Sequence, residues 1–292
     1  MADKPTVTQA MIQAYDEYTH LTLDRRGFMD KLSKLAGSGA AAAAIAPLLA
    51  ANGAQAAIVA ADDQRVATSD VRFRGATGVM GGYMAMPAFA TEAVPGILVI
   101  HENRGLNDHI RDIARRLALE GYAALAVDFL SPLGGTPGDE DTARDMFSEL
   151  KSSDTVANAV AARAWLAGHP RVTGKVAAIG FCWGGGLVNQ LAVADPDLRA
   201  GIVYYGRQPD IDDVPAIKAA MLLHYAGLDE RINAGLKEYR TALLKNDKVF
   251  GLHVYPRVNH AFNNDTSAAR YSKEAADLAW ERTLAFLKGT MF

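Results

Sequence analysis

Cys182 is the only cysteine among 292 residues, and it lies in the run Gly180-Phe181-Cys182-Trp183-Gly184-Gly185-Gly186. A nucleophile on a tight strand-to-helix turn needs small residues two places before and two places after it, because backbone crowds there. Gly180 and Gly184 occupy both places. The start of the following helix favours a thiolate through its free N–H groups and its dipole. The N–H of Trp183 would face an oxyanion developing on a substrate carbonyl. The chemistry implied is attack of sulfur on carbonyl carbon. A plainer reading remains beside it: a glycine-rich helix start around a buried, inert thiol.

Two more segments carry partners for such a thiol. Ala226-Gly227-Leu228-Asp229-Glu230 is a short loop ending in a carboxylate, and Pro256-Arg257-Val258-Asn259-His260-Ala261-Phe262 carries a histidine. His260 would move the proton, while Asp229 would fix its tautomer and support the imidazolium. Alone, Asp229 reads equally well as a helix N-cap and His260 as a polar loop residue. A third segment, His101-Glu102-Asn103-Arg104-Gly105-Leu106-Asn107, follows another apolar run. Asn103 is the expected second oxyanion donor. Glu102 is expected to interact with the thiol, with an ion pair to Arg104 or Arg111 as the alternative. His101 reads as structural, and His224 and His253 as satisfied strand residues. His109 and His169 read as surface or helix-end residues, and His20 as part of an N-terminal extension.

These loops need elements to hold them. Short apolar runs at Gly96–Ile100, Tyr122–Val127, Val176–Gly180, Ile202–Tyr205, Met221–Tyr225 and Leu252–Tyr255 read as strands buried on both faces. Ile110–Glu120, Thr155–Ala167, Gly185–Ala194, Ile232–Lys245 and Ala269–Leu287 have helical period, and Asp139–Asp154 reads as an extra helical insertion. Val71–Arg74 and Val79–Met86 read as an opening antiparallel pair. Strand and helix in alternation imply an α/β fold, a mostly parallel central sheet with helices on both faces. In such sheets ligands meet the carboxyl ends of the strands, where Glu102, Cys182, Asp229 and His260 all fall, with the last three in the chain order Cys, Asp, His.

Residues 61–292 are accordingly read as one catalytic domain and residues 1–60 as an extension. Half the chain is hydrophobic, 22% is charged, and the net charge of −3 offers no electrostatic case for nucleic acid or an anionic membrane surface. One cysteine excludes an intrachain disulfide and a metal site built on several thiolates. In the extension, Arg25-Arg26, the Ala/Gly-rich run Ala36–Ala51 and Ala54-Gln55-Ala56 follow the order of a twin-arginine export signal, which implies a periplasmic location. The apolar run is short and interrupted by Pro47, so no membrane span is expected. An uncleaved helical arm that packs on the body or joins subunits of a homo-oligomer, in a cytoplasmic protein, is the competing reading.

Together, His101-Glu102-Asn103-x-Gly-Leu-Asn, Gly180-Phe181-Cys182-Trp183-Gly184-Gly185, Gly227-x-Asp229 and Asn259-His260-Ala261-Phe262 resemble the dienelactone hydrolase (carboxymethylenebutenolidase) family of the α/β-hydrolase superfamily, over about residues 66 to 290. The resemblance implies a Cys-His-Asp hydrolase working through a thioester, with Glu102 holding and activating the thiol and no metal or organic cofactor. It departs in one respect. The family binds its substrate's carboxylate with two arginines, one shortly after the strand exit that here reads Asp128-Phe129-Leu130-Ser131-Pro132-Leu133, the other four residues past the histidine, where this chain has Asn264. An amide does not replace a guanidinium as a bidentate clamp. Arg104, Arg207 and Arg257 are the available stand-ins. The expected substrate is a small lactone or ester; a simple carboxylic ester, a thioester, or a non-catalytic binding or assembly role are the alternatives.

Overall fold

The computed structural model describes residues 6–20, 22–50 and 57–292. Its body is one eight-stranded sheet in the order β1-β2-β4-β3-β5-β6-β7-β8. The strands are β1 (Val66–Arg74), β2 (Val79–Pro87), β3 (Val94–Ile100), β4 (Ala123–Asp128), β5 (Val172–Phe181), β6 (Ala200–Tyr204), β7 (Ala220–Ala226) and β8 (Phe250–Tyr255). β1 and β2 pair antiparallel, β2 joins β4 antiparallel, and every other pairing is parallel. The sheet is mostly parallel with helices on both faces, as the alternation of the sequence implies.

The continuous apolar runs are explained by cover on both faces. Along β3, Ile97 and Val99 enter one core and Leu98 and Ile100 the other; along β5, Ala177 and Ile179 oppose Val176 and Ala178. α4 (Asp108–Leu119) and α10 (Lys273–Met291) cover the first face through Ile110, Ile113, Leu117, Ala279 and Leu287. α6 (Ser152–Ala167), α7 (Trp183–Ala194) and α9 (Leu236–Lys245) cover the second through Ala162, Leu166, Val188, Leu191 and Leu243.

Two helical readings are refined. The insertion at Asp139–Asp154 holds α5 (Glu140–Met146), a single 3-10 turn at Phe147–Glu149 and the first turn of α6. The helix expected at Ile232–Lys245 is instead two, α8 (Glu230–Asn233) and α9, separated at Ala234-Gly235. Glycine weakens a helix interior, and Gly235 here serves as the residue from which α9 starts. β1 begins five residues earlier than expected because Val66 pairs with Pro87 at the far end of β2.

The extension is three helices, α1 (Gln9–Thr19), α2 (Arg25–Ala36) and α3 (Gly39–Leu49). Each starts on a side-chain cap: Thr8, Asp24 and Ser38 accept from Met11, Gly27 and Ala41 N–H groups. Their apolar faces meet one another, with Tyr15, Tyr18, Phe28, Leu32, Ile45 and Leu49 in a small core of the arm's own. Against the body, Ala269 aside, the arm uses mainly polar contacts. Gln9 and Asn259 exchange side-chain hydrogen bonds, Asn103 donates to the Thr19 carbonyl, and the Arg144 guanidinium lies 4.0 Å over the Tyr18 ring. Arg25 of the arginine pair lies 3.5 Å from Asp141. Among the described residues no single helix is long and apolar enough to cross a membrane. Ala54-Gln55-Ala56 lies outside the described residues.

The handover from β5 to α7 is a tight crossing of backbone on backbone. A Cβ on Gly184 would lie 2.5 Å from the carbonyl oxygens of both Ile100 and His101, and one on Gly180 would lie 2.2 Å from the Gly184 carbonyl oxygen. All of these are backbone atoms, which cannot step aside. Two residues along the same helix, Gly186 has no neighbour nearer than 3.6 Å. Gly184→Ala is therefore expected to lower the unfolding free energy by about 1–3 kcal/mol, whereas Gly186→Ala should be neutral or slightly stabilising. Urea denaturation of both variants checks this, and equal losses at the two positions would contradict it.

Candidate active site

The backbone at Cys182 is bent to φ 54° and ψ −114°, between the last residue of β5 and the first of α7. An L-residue resists that conformation, and such strain persists only where surrounding structure fixes it. Here the Cys182 N–H donates to the Tyr204 carbonyl at 3.0 Å, and the Cys182 carbonyl accepts from Gly186 at 3.1 Å. Tyr205 (φ 42°) and Ala261 (φ 62°), which line pockets shared with Cys182, also have positive φ. Trp183 opens α7, so its N–H has no carbonyl one turn back to bond. Its indole stacks on the buried His101, whose Nδ1 faces the Glu102 carbonyl and whose Nε2 accepts from Phe129 N–H.

His260 and Asp229 arrive from the loops after β8 and β7 and are both buried. His260 Nδ1 lies 2.5 Å from Asp229 Oδ2, while Asp229 Oδ1 accepts from Ile232 N–H at 3.2 Å. Asp229 thus caps α8 and orients His260 at once; its two readings are not exclusive. The other ring nitrogen, His260 Nε2, is buried with no hydrogen-bond partner among the described residues. One ring nitrogen of His260, the sulfur of Cys182 and one ring nitrogen of His20 all lie within 4.8 Å of one another.

His20 is the correction to the sequence reading, which left it in the extension without a role. The end of α1 carries it into the site: His20 Nε2 is 3.4 Å from Cys182 Sγ, and its ring meets His260 edge-on with centroids 4.7 Å apart. His20 Nδ1 faces the Asp16 carbonyl at 2.6 Å. A carbonyl only accepts, so Nδ1 holds the proton, and in the neutral ring Nε2 turns a lone pair toward sulfur. The spacing Asp16-x-x-x-His20 on a helix was visible in the sequence. That the arm crosses the carboxyl edge of the sheet was not.

The charges reinforce one another. Burial pushes the Cys182 thiol up, but His260 and then His20 outweigh it and bring the thiol down to about 6. Burial disfavours the charged form of His260, yet the charges of Cys182, Asp229 and Asp16 hold it well above the usual imidazole value. Asp229 is held below the usual carboxylate range, its burial overcome by His260. The arrangement suits a thiolate–imidazolium pair.

Glu102 is placed differently from expectation. Its Oε2 accepts from Asn264 Nδ2 at 2.8 Å and its Oε1 from the Tyr205 hydroxyl at 3.4 Å; among the described residues its side chain bonds neither Cys182 nor an arginine. Asn264, at the position of the family's second arginine, is the residue that occupies it, and the thiol's partner is His20. The Asn103 side chain is engaged with the arm, although Asn103 lines the same cavity as Cys182. Arg104 is buried behind the site, 3.3 Å from both Asp141 and the Tyr15 hydroxyl. His109, expected at a surface or a helix end, is at a helix end but buried against Asp265.

A cavity of about 360 Å³ opens from Cys182 and His260. Trp183, Phe147 and Leu187 give it apolar wall, and Arg144, Arg207 and Arg231 line it too. Of the expected arginines only Arg207 reaches it; Arg144 and Arg231 were missed, since α5 and α8 are brought there only by the fold. Among the described residues Arg144 Nη1 is buried without a hydrogen-bond partner, 3.8 Å from Asp141.

A family model described as the dienelactone hydrolase family matches residues 80–291. A protein of Saccharolobus solfataricus with the provisional name carboxymethylenebutenolidase is 34% identical over 230 residues, covering 66% of this chain and 88% of that one. A provisionally named dienelactone hydrolase crystal structure from Klebsiella pneumoniae superposes with TM-score 0.70 at 29% identity, over 76% of this chain and all but a fiftieth of the other (98%). Brefeldin A esterase, a bacterial homologue of human hormone-sensitive lipase, shares the fold at TM-score 0.63 and 14% identity, over 97% of this chain and 92% of its own.

The lowered thiol makes a prediction of its own. The sulfur should be ionised above about pH 6 rather than above its ordinary value of 9.0, so alkylation by iodoacetamide should level off near neutrality. His260→Ala should move the inflection upward. An inflection near 9 in the wild type would contradict the site's electrostatics.

Proposed function

Because the chain belongs to the dienelactone hydrolase family, we propose that it is a cysteine-dependent hydrolase that opens a lactone or cleaves a carboxylic ester through a thioester on Cys182. One observation carries the proposal: a buried Asp229–His260 pair with a ring nitrogen of His260 within 4.8 Å of the sulfur of a cysteine held on a strained turn, all at strand exits.

In the proposed cycle the Cys182 thiolate attacks the carbonyl carbon, and the carbonyl electron pair moves to oxygen. The N–H groups of Trp183 and Asn103 receive that oxyanion. As it collapses, the imidazolium of His260 gives its proton to the leaving alkoxide and the acyl group remains on sulfur. His260 then takes a proton from water, and the hydroxide formed attacks the thioester. The acid departs and the thiolate returns. Asp229 stays ionised throughout and holds Nδ1–H, so that Nε2 does the proton transfer. Glu102 acts as a positioning residue: with its oxygens committed to Asn264 and Tyr205, it fixes the loop after β3 that presents Asn103.

The cavity narrows the substrate class. Its volume fits a small molecule. Arg144, Arg207 and Arg231 on its wall favour an ester or lactone that carries a carboxylate, taking over the part assigned to the two absent arginines. Arg144 Nη1, which has no hydrogen bond among the described residues, supports this.

Cys182→Ala should lose hydrolysis of a small aryl ester by at least ~10³-fold. Full activity in that variant would sink the proposal, and no activity in the wild type across lactones, aryl esters and thioesters would favour a binding role. Arg144→Ala should raise KM for a carboxylate-bearing lactone roughly tenfold while leaving kcat near its starting value. A neutral aryl ester should be unaffected, and an equal effect on both substrates would remove the anionic preference.

A further inference from the structure

The residues around the Cys182 sulfur make up a donor set that hydrolysis does not account for. His20 comes from the arm, whereas Cys182 and His260 come from the body, yet one donor atom of each meets the other two within 4.8 Å. Hydrolysis by the proposed route uses one imidazole; the second stands 3.4 Å from the same sulfur. We propose that His20, Cys182 and His260 form a binding site for a zinc-type divalent cation, which when filled clamps the arm over the nucleophile and holds the hydrolase inactive. The binding stands on geometry alone, while the inactivation rests on the reading of Cys182 as nucleophile.

The geometry suits such an ion. Zinc takes thiolate sulfur at about 2.3 Å and imidazole nitrogen at about 2.0–2.1 Å in a tetrahedral shell, which sets sulfur and nitrogen about 3.5 Å apart. The His20 Nε2 to Sγ separation of 3.4 Å is already that of a tetrahedral edge. Two imidazoles and one thiolate form a borderline-soft set that selects zinc over magnesium or calcium.

The outer shell is in place as well. A metal-bound histidine ordinarily donates its other N–H to a carbonyl or carboxylate, which fixes the ring and sharpens the donor lone pair. His20 Nδ1 does so to the Asp16 carbonyl and His260 Nδ1 to Asp229. His260 Nε2, on a side chain only 2% exposed, has no hydrogen-bond partner among the described residues. The Asp16 carboxylate, within 4.8 Å of a His260 nitrogen, adds negative charge beside the ion. On binding, the proton that the Cys182–His260 pair shares passes to solvent, and the electron pairs of sulfur and of both imidazole nitrogens go to the metal. A fourth position faces the cavity, where water completes the shell and through which the ion enters.

The arm is built to be held in this way. Its apolar residues pack within it, and it meets the body largely through hydrogen bonds, ion pairs and aromatic–guanidinium contacts. Such contacts are individually weak and exchangeable with water. A metal bond from His20 to two body residues would convert a separable arm into a fixed one. With sulfur and Nε2 both bound, neither nucleophile nor base is free.

The test uses the full chain, stripped of metal by a chelator and titrated with Co²⁺ as a spectroscopic probe, followed by competition with Zn²⁺. The expected result is a thiolate-to-cobalt charge-transfer band with tetrahedral ligand-field bands, absent in Cys182→Ala. In His20→Ala and in the size-matched His20→Gln, zinc affinity should fall at least roughly tenfold, with unchanged near-ultraviolet circular dichroism showing that the arm still folds. Zinc should also suppress ester hydrolysis by the wild type, and a chelator should restore it. Zinc binding of undiminished affinity in both His20 variants, or no cobalt–thiolate band in the wild type, overturns the site. If the band appears but Cys182→Ala keeps its esterase activity, the nucleophile reading fails and the site stands; an inactive Cys182→Ala with no band in the wild type gives the reverse.

Discussion

Backbone packed directly on backbone governs the centre of this molecule. Where β5 passes into α7, Gly184 lies beneath the carbonyls of Ile100 and His101, Gly180 lies against Gly184, and Gly185 lies against Tyr204 and Gly206. No side chain fits between these segments, so the chain must turn sharply, and Cys182 takes the left-handed conformation that the turn demands. A conformation of that kind costs on the order of 1–3 kcal/mol. The surrounding buried sheet offsets the cost, and the sulfur is set at the carboxyl edge of β5, facing the loops that follow β3, β7 and β8.

A buried sulfur ought to stay protonated, and the site reverses that tendency by the company it keeps. Asp229 holds His260, His260 faces Cys182, and on the other side His20 faces the same sulfur with its far nitrogen on the Asp16 carbonyl. From Asp229 through His260 to Cys182 negative and positive groups alternate, so each lowers the cost of its neighbour's charge. Removing one charge would leave the next unpaired in a poor solvent, so a proton gained or lost at any of Cys182, His260 and Asp229 changes the other two.

The arm joins that set without joining the core. Helices α1 to α3 satisfy their apolar residues largely among themselves, with Ala269 of the body packed against them, and the described contacts with the body are otherwise mainly polar and aromatic. His20 is therefore placed in the active site by a unit whose cohesion does not depend on being there. This division of labour, apolar within and polar between, separates the stability of the arm from its docking.

The alternation of apolar runs and amphipathic segments determined the parallel sheet and its helical cover, because a strand buried on both faces leaves no other pattern. The spacing of Gly180, Cys182 and Gly184, with Asp229 and His260 at later strand exits, determined which residues would meet, since strand ends in such a sheet face one edge. The motif also located Glu102 and Asn103 in the right loop. What Glu102 bonds was decided by folding: Asn264 and Tyr205, remote in sequence, take its oxygens. The cavity arginines Arg144 and Arg231 were equally hidden, since they lie on helices whose position over the sheet no local pattern encodes. His20 is the extreme case. Its helix reads the same whether the arm points into solvent, joins another subunit or lies across Cys182, because a polar docking surface leaves no periodic trace in the sequence, and only the tertiary structure puts that second imidazole 3.4 Å from the sulfur.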